Sequence, residues 1–196
     1  MIAVRRARPS DAAAIGAVHV AAWRSAYPGI LPDDYLAQMS APRQAAHYDR
    51  AIRAGQRAEA ATVCVHVATI SGADLGPRGG PARIVGFVTA APGRMSGRGQ
   101  AFGDGEIETL YVLDDWRERG LGRRLIRAAA LQLREQGCRS VFLWVLRENP
   151  SRWFYARLGG RAAAEGVVQV GGASVVQTAY VWDPIDRLAL ATSASP

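Results

Sequence analysis

The sequence contains no lysine, so all 24 of its basic residues are arginine and the formal net charge of +7 is carried by guanidinium groups. Cysteine is nearly absent as well. Cys64 and Cys138 are too few to form the disulfide framework on which small secreted domains depend. Neither stands at ligand-like spacing from His19, His47 or His66, so no metal site is expected. No apolar run approaches the roughly 20 residues needed to span a bilayer. The first nine residues, MIAVRRARP, are positive but lack a following apolar core, which argues against a secretory signal. A cytoplasmic protein without a membrane partner is the expectation. A pI near 10.2 invites a nucleic-acid reading. The arginines, however, are scattered from residue 5 to residue 187 with no basic stripe interleaved with aromatics. Nucleic acid is therefore not expected as the principal partner.

What is present describes an ordinary globule. A hydrophobic fraction of 49% in 196 residues supports one domain with a substantial core, expected over 1–185 with a frayed tail at 186–196. Residues 2–8 read as a strand, and Ser10 and Asp11 as caps of a helix running to about Ala26. Pro32 and Pro42 open two further helical pieces. Residues 61–70 and 83–91 read as paired strands around a glycine- and proline-rich loop, 71–81. A second such loop, 92–105, carries Arg94 and Arg98. A strand over Glu106–Leu113 follows, then a helix with Leu121, Leu125, Ala129 and Leu133 inward and Gly137 as its stop. Near the C-terminus, 161–170 and 174–183 flank Gly171-Gly172 like a hairpin.

The most informative stretch is Arg117-Glu118-Arg119-Gly120-Leu121-Gly122, set between that strand and that helix. A strand, a glycine-bearing turn and a helix aim free backbone N–H groups at one point, which suits an anion. Arg117, Arg119, Arg123 and Arg124 add positive charge where the helix dipole opposes it, at about 0.3–1 kcal/mol each. A bound phosphate would turn that penalty into attraction. Further on, Ser140–Leu146 is a continuous apolar run fit for a strand covered on both faces. Asn149 and Pro150 then read as N-cap and first position of a helix carrying Trp153, Phe154 and Leu158 inward, ending at Gly159-Gly160.

The spacing R-x-x-G-x-G over 117–122 resembles motif A of the GCN5-related N-acetyltransferases. The segment from Asn149 through Tyr155 resembles their motif B, although Gly159-Gly160 replaces the usual Gly-Phe. Ala22–Pro32 is similar to the junction of the first two helices in bacterial members. The resemblance covers roughly residues 2 to 183. It implies an α/β (α+β) fold with a mixed, mostly antiparallel sheet of six or seven strands. That sheet is splayed between its fourth and fifth strands, where acetyl-CoA is held.

The same resemblance implies roles for residues. Arg117, Glu118, Arg119, Gly120, Leu121, Gly122 and Arg123 would receive the pyrophosphate, with Asn149 and the backbone of Leu110, Tyr111 and Val112 completing the cofactor site. An acceptor ammonium of pKa about 10.4 costs about 4.6 kcal/mol to deprotonate at pH 7, so a base is needed. Glu106 and Glu108, which share a strand face, are the candidates. Tyr155 is the candidate hydrogen-bond donor to the leaving thiolate. Trp23 and Tyr27, four apart on a helix, are the candidate acceptor wall. The reaction implied is acetyl transfer to a primary amine of a small molecule or peptide in a ternary complex. The competing class is a noncatalytic acyl-CoA-binding module. A homodimer is left open.

Overall fold

The computed structural model describes residues 1–57, 63–71, 80–93 and 102–193. Most of the two glycine-rich loops, with Arg94 and Arg98, lies outside the described residues. Seven strands form one mixed sheet in the order β1-β2-β3-β4-β5-β7-β6. They are β1 (Ile2–Arg6), β2 (Cys64–Ile70), β3 (Arg83–Pro92), β4 (Gly105–Val112), β5 (Val141–Leu146), β6 (Arg161–Val170) and β7 (Ala173–Trp182). Every neighbouring pair is antiparallel except β4 and β5. That parallel pair keeps only two rungs, Gly105 with Val141 and Glu106 with Phe142, before the strands part. The expected mixed sheet, splayed between the fourth and fifth strands, is what the chain forms.

The helices are α1 (Ala12–Ala26), α2 (Asp33–Ala37), α3 (Ala41–Arg57), α4 (Leu121–Glu135), α5 (Arg152–Arg157) and α6 (Asp186–Ala191). On one face of the sheet, α4 buries Leu121, Leu125, Ala129 and Leu133 against Ile70, Val88, Ile107 and Leu143. On the other, α1 and α3 bring Ile15, Val18, Tyr48 and Ile52 against Val67 and Phe87. Alternation along β5 follows from this division. Leu143 and Val145 belong to the α4 side, whereas Leu146 packs with Tyr27 and Leu36. Gly171 and Gly172 both adopt positive φ, 58° and 85°, as a two-residue hairpin with this twist requires.

Two sequence expectations are corrected. Asp186–Ala191 is a helix, not a frayed tail. Leu188 is fully buried in the main core, Arg123 and Arg127 donate to the carbonyls of Ala191 and Ala189 at 2.6 and 3.0 Å, and Arg134 pairs with Asp186. Arginine is well suited to satisfying the carbonyls a helix leaves open at its C-terminus. The helix after Asn149 starts later than expected, with Ser151 at its N-cap. Its phase turns Trp153 outward, 56% exposed under the Arg152 guanidinium, while Tyr155 and Leu158 face the core. The first helix is as expected: residues 9–11 form a short 3-10 turn, and α1 begins at Ala12 with Asp11 at its N-cap. There the Asp11 carboxylate accepts from Arg8 N–H at 2.7 Å and pairs with the Arg5 guanidinium, which lowers its pKa. Cys64 and Cys138 are free and buried.

Candidate active site

Where β4 and β5 part, a cavity of about 710 Å³ opens through the sheet. A volume of this size suits a ligand of cofactor class. One end meets the start of α4. Gly120 occupies the N-cap at φ 74°, a left-handed conformation that costs any residue with a Cβ about 1–2 kcal/mol. The first helical bond runs from Arg124 N–H to Gly120 O, so the amides of Leu121, Gly122 and Arg123 precede the ladder and have no partner within the helix. Gly122 serves differently from Gly120. A Cβ there would stand 3.3 Å from Phe154 Cζ, so glycine lets α4 and α5 approach.

The arginines do not gather at this turn as the sequence suggests. Arg117 pairs with Asp114 at 2.8 Å, and the Arg119 guanidinium stacks over the Trp116 ring at 4.7 Å. Arg123 reaches back to Ala191, and Arg124 to the carbonyl of Ile2. Arg119 is accordingly absent from the cavity wall, whereas Arg117, Glu118, Gly120, Leu121, Gly122 and Arg123 are on it. Local partners just before the turn engage Arg117 and Arg119, and acceptors far along the chain engage Arg123 and Arg124.

Tyr155 lies at the junction between the α4 end and the rest of the cavity. It is 7% exposed, with its ring beside Phe154 and Tyr180. Burial, with a smaller contribution from nearby Tyr27, pushes its phenol pKa up, so the hydroxyl stays protonated and available as a donor. Asn149, 7% exposed, ties both sides of the gap together. Its Oδ1 accepts from Ser151 N–H at 2.9 Å, and its Nδ2 donates to Tyr27 Oη at 3.3 Å. Burial also raises the pKa of Tyr27, an effect partly offset by its hydrogen bonds with Asn149 and Tyr111.

The two glutamates separate. Glu106 occupies the last rung of the β4–β5 ladder and is not on the cavity wall. Glu108 is on it, two residues beyond the parting. A β-bulge falls here, because Thr89 pairs with Thr109 while Ala90 pairs with Ile107, leaving Glu108 as the extra residue. Thr89 Oγ1 donates to Glu108 Oε2 at 3.4 Å and shares a 2.8 Å hydrogen bond with Thr109 Oγ1. Behind them, Tyr48 and His19 form a buried pair, 2.7 Å from hydroxyl to Nδ1. Among the described residues, no three His, Cys, Asp or Glu side chains are placed to hold a metal ion.

The far end of the cavity is bounded by Trp23 and Tyr27, whose rings meet edge-on at 4.9 Å. Trp144, Val168, Val170 and Gln177 complete it. None of these last four carries a sequence signal. Trp144 sits inside a uniformly apolar run whose two faces periodicity cannot separate, and the other three become neighbours only through the β6–β7 hairpin. Leu110, Tyr111 and Val112, expected from resemblance, do line the gap.

Comparison with known proteins agrees with this architecture. Residues 84–168 match the family model described as FR47-like protein. The uncharacterized N-acetyltransferase YuaI of Bacillus subtilis (strain 168) is 28% identical over 188 residues, 96% of each chain. The PaiA N-acetyltransferase of Thermoplasma acidophilum, solved in complex with coenzyme A, shares the fold at a TM-score of 0.63 and 17% identity, over 91% of this chain and 98% of that one. YncA, a putative acetyltransferase of Salmonella typhimurium solved with its cofactor acetyl-CoA, does so at 0.63 and 18%, over 93% of each. Splayed sheet and glycine turn are those of the GCN5-related N-acetyltransferase fold, which the chain shares with these solved structures, and its middle stretch matches the FR47-like model. No described helix is long and apolar enough to cross a membrane.

Proposed function

We propose that this chain transfers the acetyl group of acetyl-CoA to a primary amine by direct attack within a ternary complex. The observation that carries the reading is a single continuous cavity. It joins the unpaired amides of α4 to Tyr155 and Glu108 and then to the aromatic end at Trp23 and Tyr27.

The bound thioester supplies an activated acetyl group; the protein supplies placement and proton handling. The amides of Leu121, Gly122 and Arg123 hold the pyrophosphate, with the helix dipole adding to the attraction. Backbone groups of Leu110–Val112, facing the gap, pair with the pantetheine amides as an added half-strand would and polarise the acetyl carbonyl. Tyr155 donates a hydrogen bond to the sulfur as charge develops there. Because burial raises its pKa, stabilisation by that bond outweighs complete proton transfer. Glu108 receives the ammonium proton, a role for which Glu106 is badly placed.

The test is thiol release from acetyl-CoA in the presence of a panel of amines, beside calorimetric titration of acetyl-CoA alone. Amine-dependent thiol release with stoichiometric acetylated product supports the reading. Tight acetyl-CoA binding without release for any amine leaves a binding module instead.

A further inference from the structure

The acceptor end of the cavity differs in character from the α4 end. Strand alternation sends Trp144 and Leu146 to the side opposite α4, where they meet Trp23 and Tyr27 from α1 and Val168 and Val170 from β6. Three large rings and three branched aliphatic side chains therefore surround this half. Among the described residues, Glu108 is the only carboxylate on its wall, beside the neutral polar side chains of Thr109, Asn149 and Gln177. Glu118 belongs to the turn before α4, and Glu165 pairs with Arg147 outside the cavity. The Phe102 ring stands edge-on to Trp144 at 5.4 Å.

The same end is roofed. Tyr35 of α2 packs on the hairpin tip so closely that a Cβ on Gly171 would come within 2.5 Å of Tyr35 Cγ. Tyr27 and Leu36 pack with Leu146, Val170 and Val175, so the α1–α2 segment bridges onto the β5–β7–β6 half of the sheet.

Resting on the acetyl-transfer reading above, we infer that the acceptor is a small apolar monoamine: one ammonium on an aromatic or branched aliphatic body. Ring faces at Trp23 and Tyr27 attract the single cation beside Glu108, and the aliphatic wall takes the body. A polycation has one carboxylate for several charges. Each further ammonium would be desolvated against Trp144, Val168 and Val170, in a protein already carrying excess positive charge.

The experiment compares kcat/KM for 2-phenylethylamine and 3-methylbutylamine with that for spermidine, kanamycin and an alanine-initiated hexapeptide, at saturating acetyl-CoA. The apolar monoamines are expected to lead by about tenfold or more, the scale of a filled apolar contact. Trp144→Ala should raise KM for 2-phenylethylamine about tenfold with little change in kcat. Trp144→Phe serves if the larger truncation does not fold. Unaltered acetyl-CoA affinity by calorimetry reports an intact cofactor end. Spermidine, kanamycin or the peptide as best acceptor overturns this assignment and leaves acetyl transfer standing. If acetyl-CoA binds but no amine releases thiol, acetyl transfer falls and this assignment falls with it.

Discussion

Asn149 Nδ2 donates to Tyr27 Oη at 3.3 Å, a bond between positions 122 residues apart that joins the α1 side of the parted sheet to the turn before α5. The amide's Oδ1 simultaneously holds Ser151 N–H. One buried side chain thus fixes both the entry to the Tyr155 helix and the spacing across the gap. Asn149→Ala leaves the Ser151 amide and the Tyr27 hydroxyl without these partners, and each orphaned group costs about 1–3 kcal/mol. Denaturant unfolding should show a loss in that range. Asn149→Asp, which keeps the acceptor to Ser151 but loses the donor to Tyr27, should recover part of it.

Gly122 and Gly120 respond differently to substitution. A side chain at Gly122 meets the Phe154 ring and fills the approach to the helix amides. Gly122→Glu adds repulsion toward a phosphate as well. Acetyl-CoA affinity by calorimetry should fall beyond detection. Gly120→Ala has open space around the new methyl and pays only for its backbone conformation, about 1–2 kcal/mol. Parental affinity in Gly122→Glu would remove the turn from the cofactor site.

Tyr155→Phe keeps the ring and its packing while deleting the donor. Turnover should drop by about 10²-fold, with acetyl-CoA affinity nearly unchanged. Because burial raises the phenol's pKa, its ionisation cannot supply an alkaline limb near pH 8 or 9. A limb that vanishes in Tyr155→Phe would contradict the environment described here.

The glutamates give a matched pair of variants. Glu108→Gln should lower the rate most near neutral pH and recover in alkali, where the amine sheds its proton unaided. Glu106→Gln, altering a side chain off the cavity wall, should retain the parent's pH–rate profile. The reverse ranking would move the base to Glu106.

Local signals explain what the sequence made legible. The turn at Gly120, the inward stripe of α4 and the Gly171-Gly172 hairpin each depend on residues close in the chain. The dispersal of the arginines does not, because the acceptors at Ala191 and Ile2 lie 68 and 122 residues from Arg123 and Arg124. Helix α6 escaped notice for the same reason: Leu188 acquires its burial only when α4 and the sheet supply it. The bulge at Glu108 is a pairing decision made with Thr89, and no feature of β4 alone records it. Its consequence, that Glu108 and not Glu106 meets the cavity, was therefore beyond reach of a strand-period argument.

Two histidines set an acid sensitivity. Burial holds both His19 and His66 down to about 4 in the folded chain, against an unfolded value near 6.5. Above pH 6.5 both states carry neutral rings, and this contribution to stability is fully present. As pH falls from 6.5 toward 4 the unfolded state gains protons that the folded state does not, and the contribution is lost. Urea midpoints should decline through that window. A His19→Gln, His66→Gln double variant should show a flatter dependence, whatever its absolute stability.

Because β4 and β5 cease to pair after two rungs, the sheet acquires two interior margins besides its outer ones. A margin of this kind recognises a partner through main-chain geometry, which nineteen amino-acid types share equally and proline alone breaks. Such recognition places almost no demand on side-chain identity. It offers a physical reason why chains with 17% or 18% identity to this one can retain the fold across more than nine-tenths of its length. Along the gap itself the physical demand on side chains is small, and it falls on the few residues, Asn149 and Tyr27 among them, that hold the gap open.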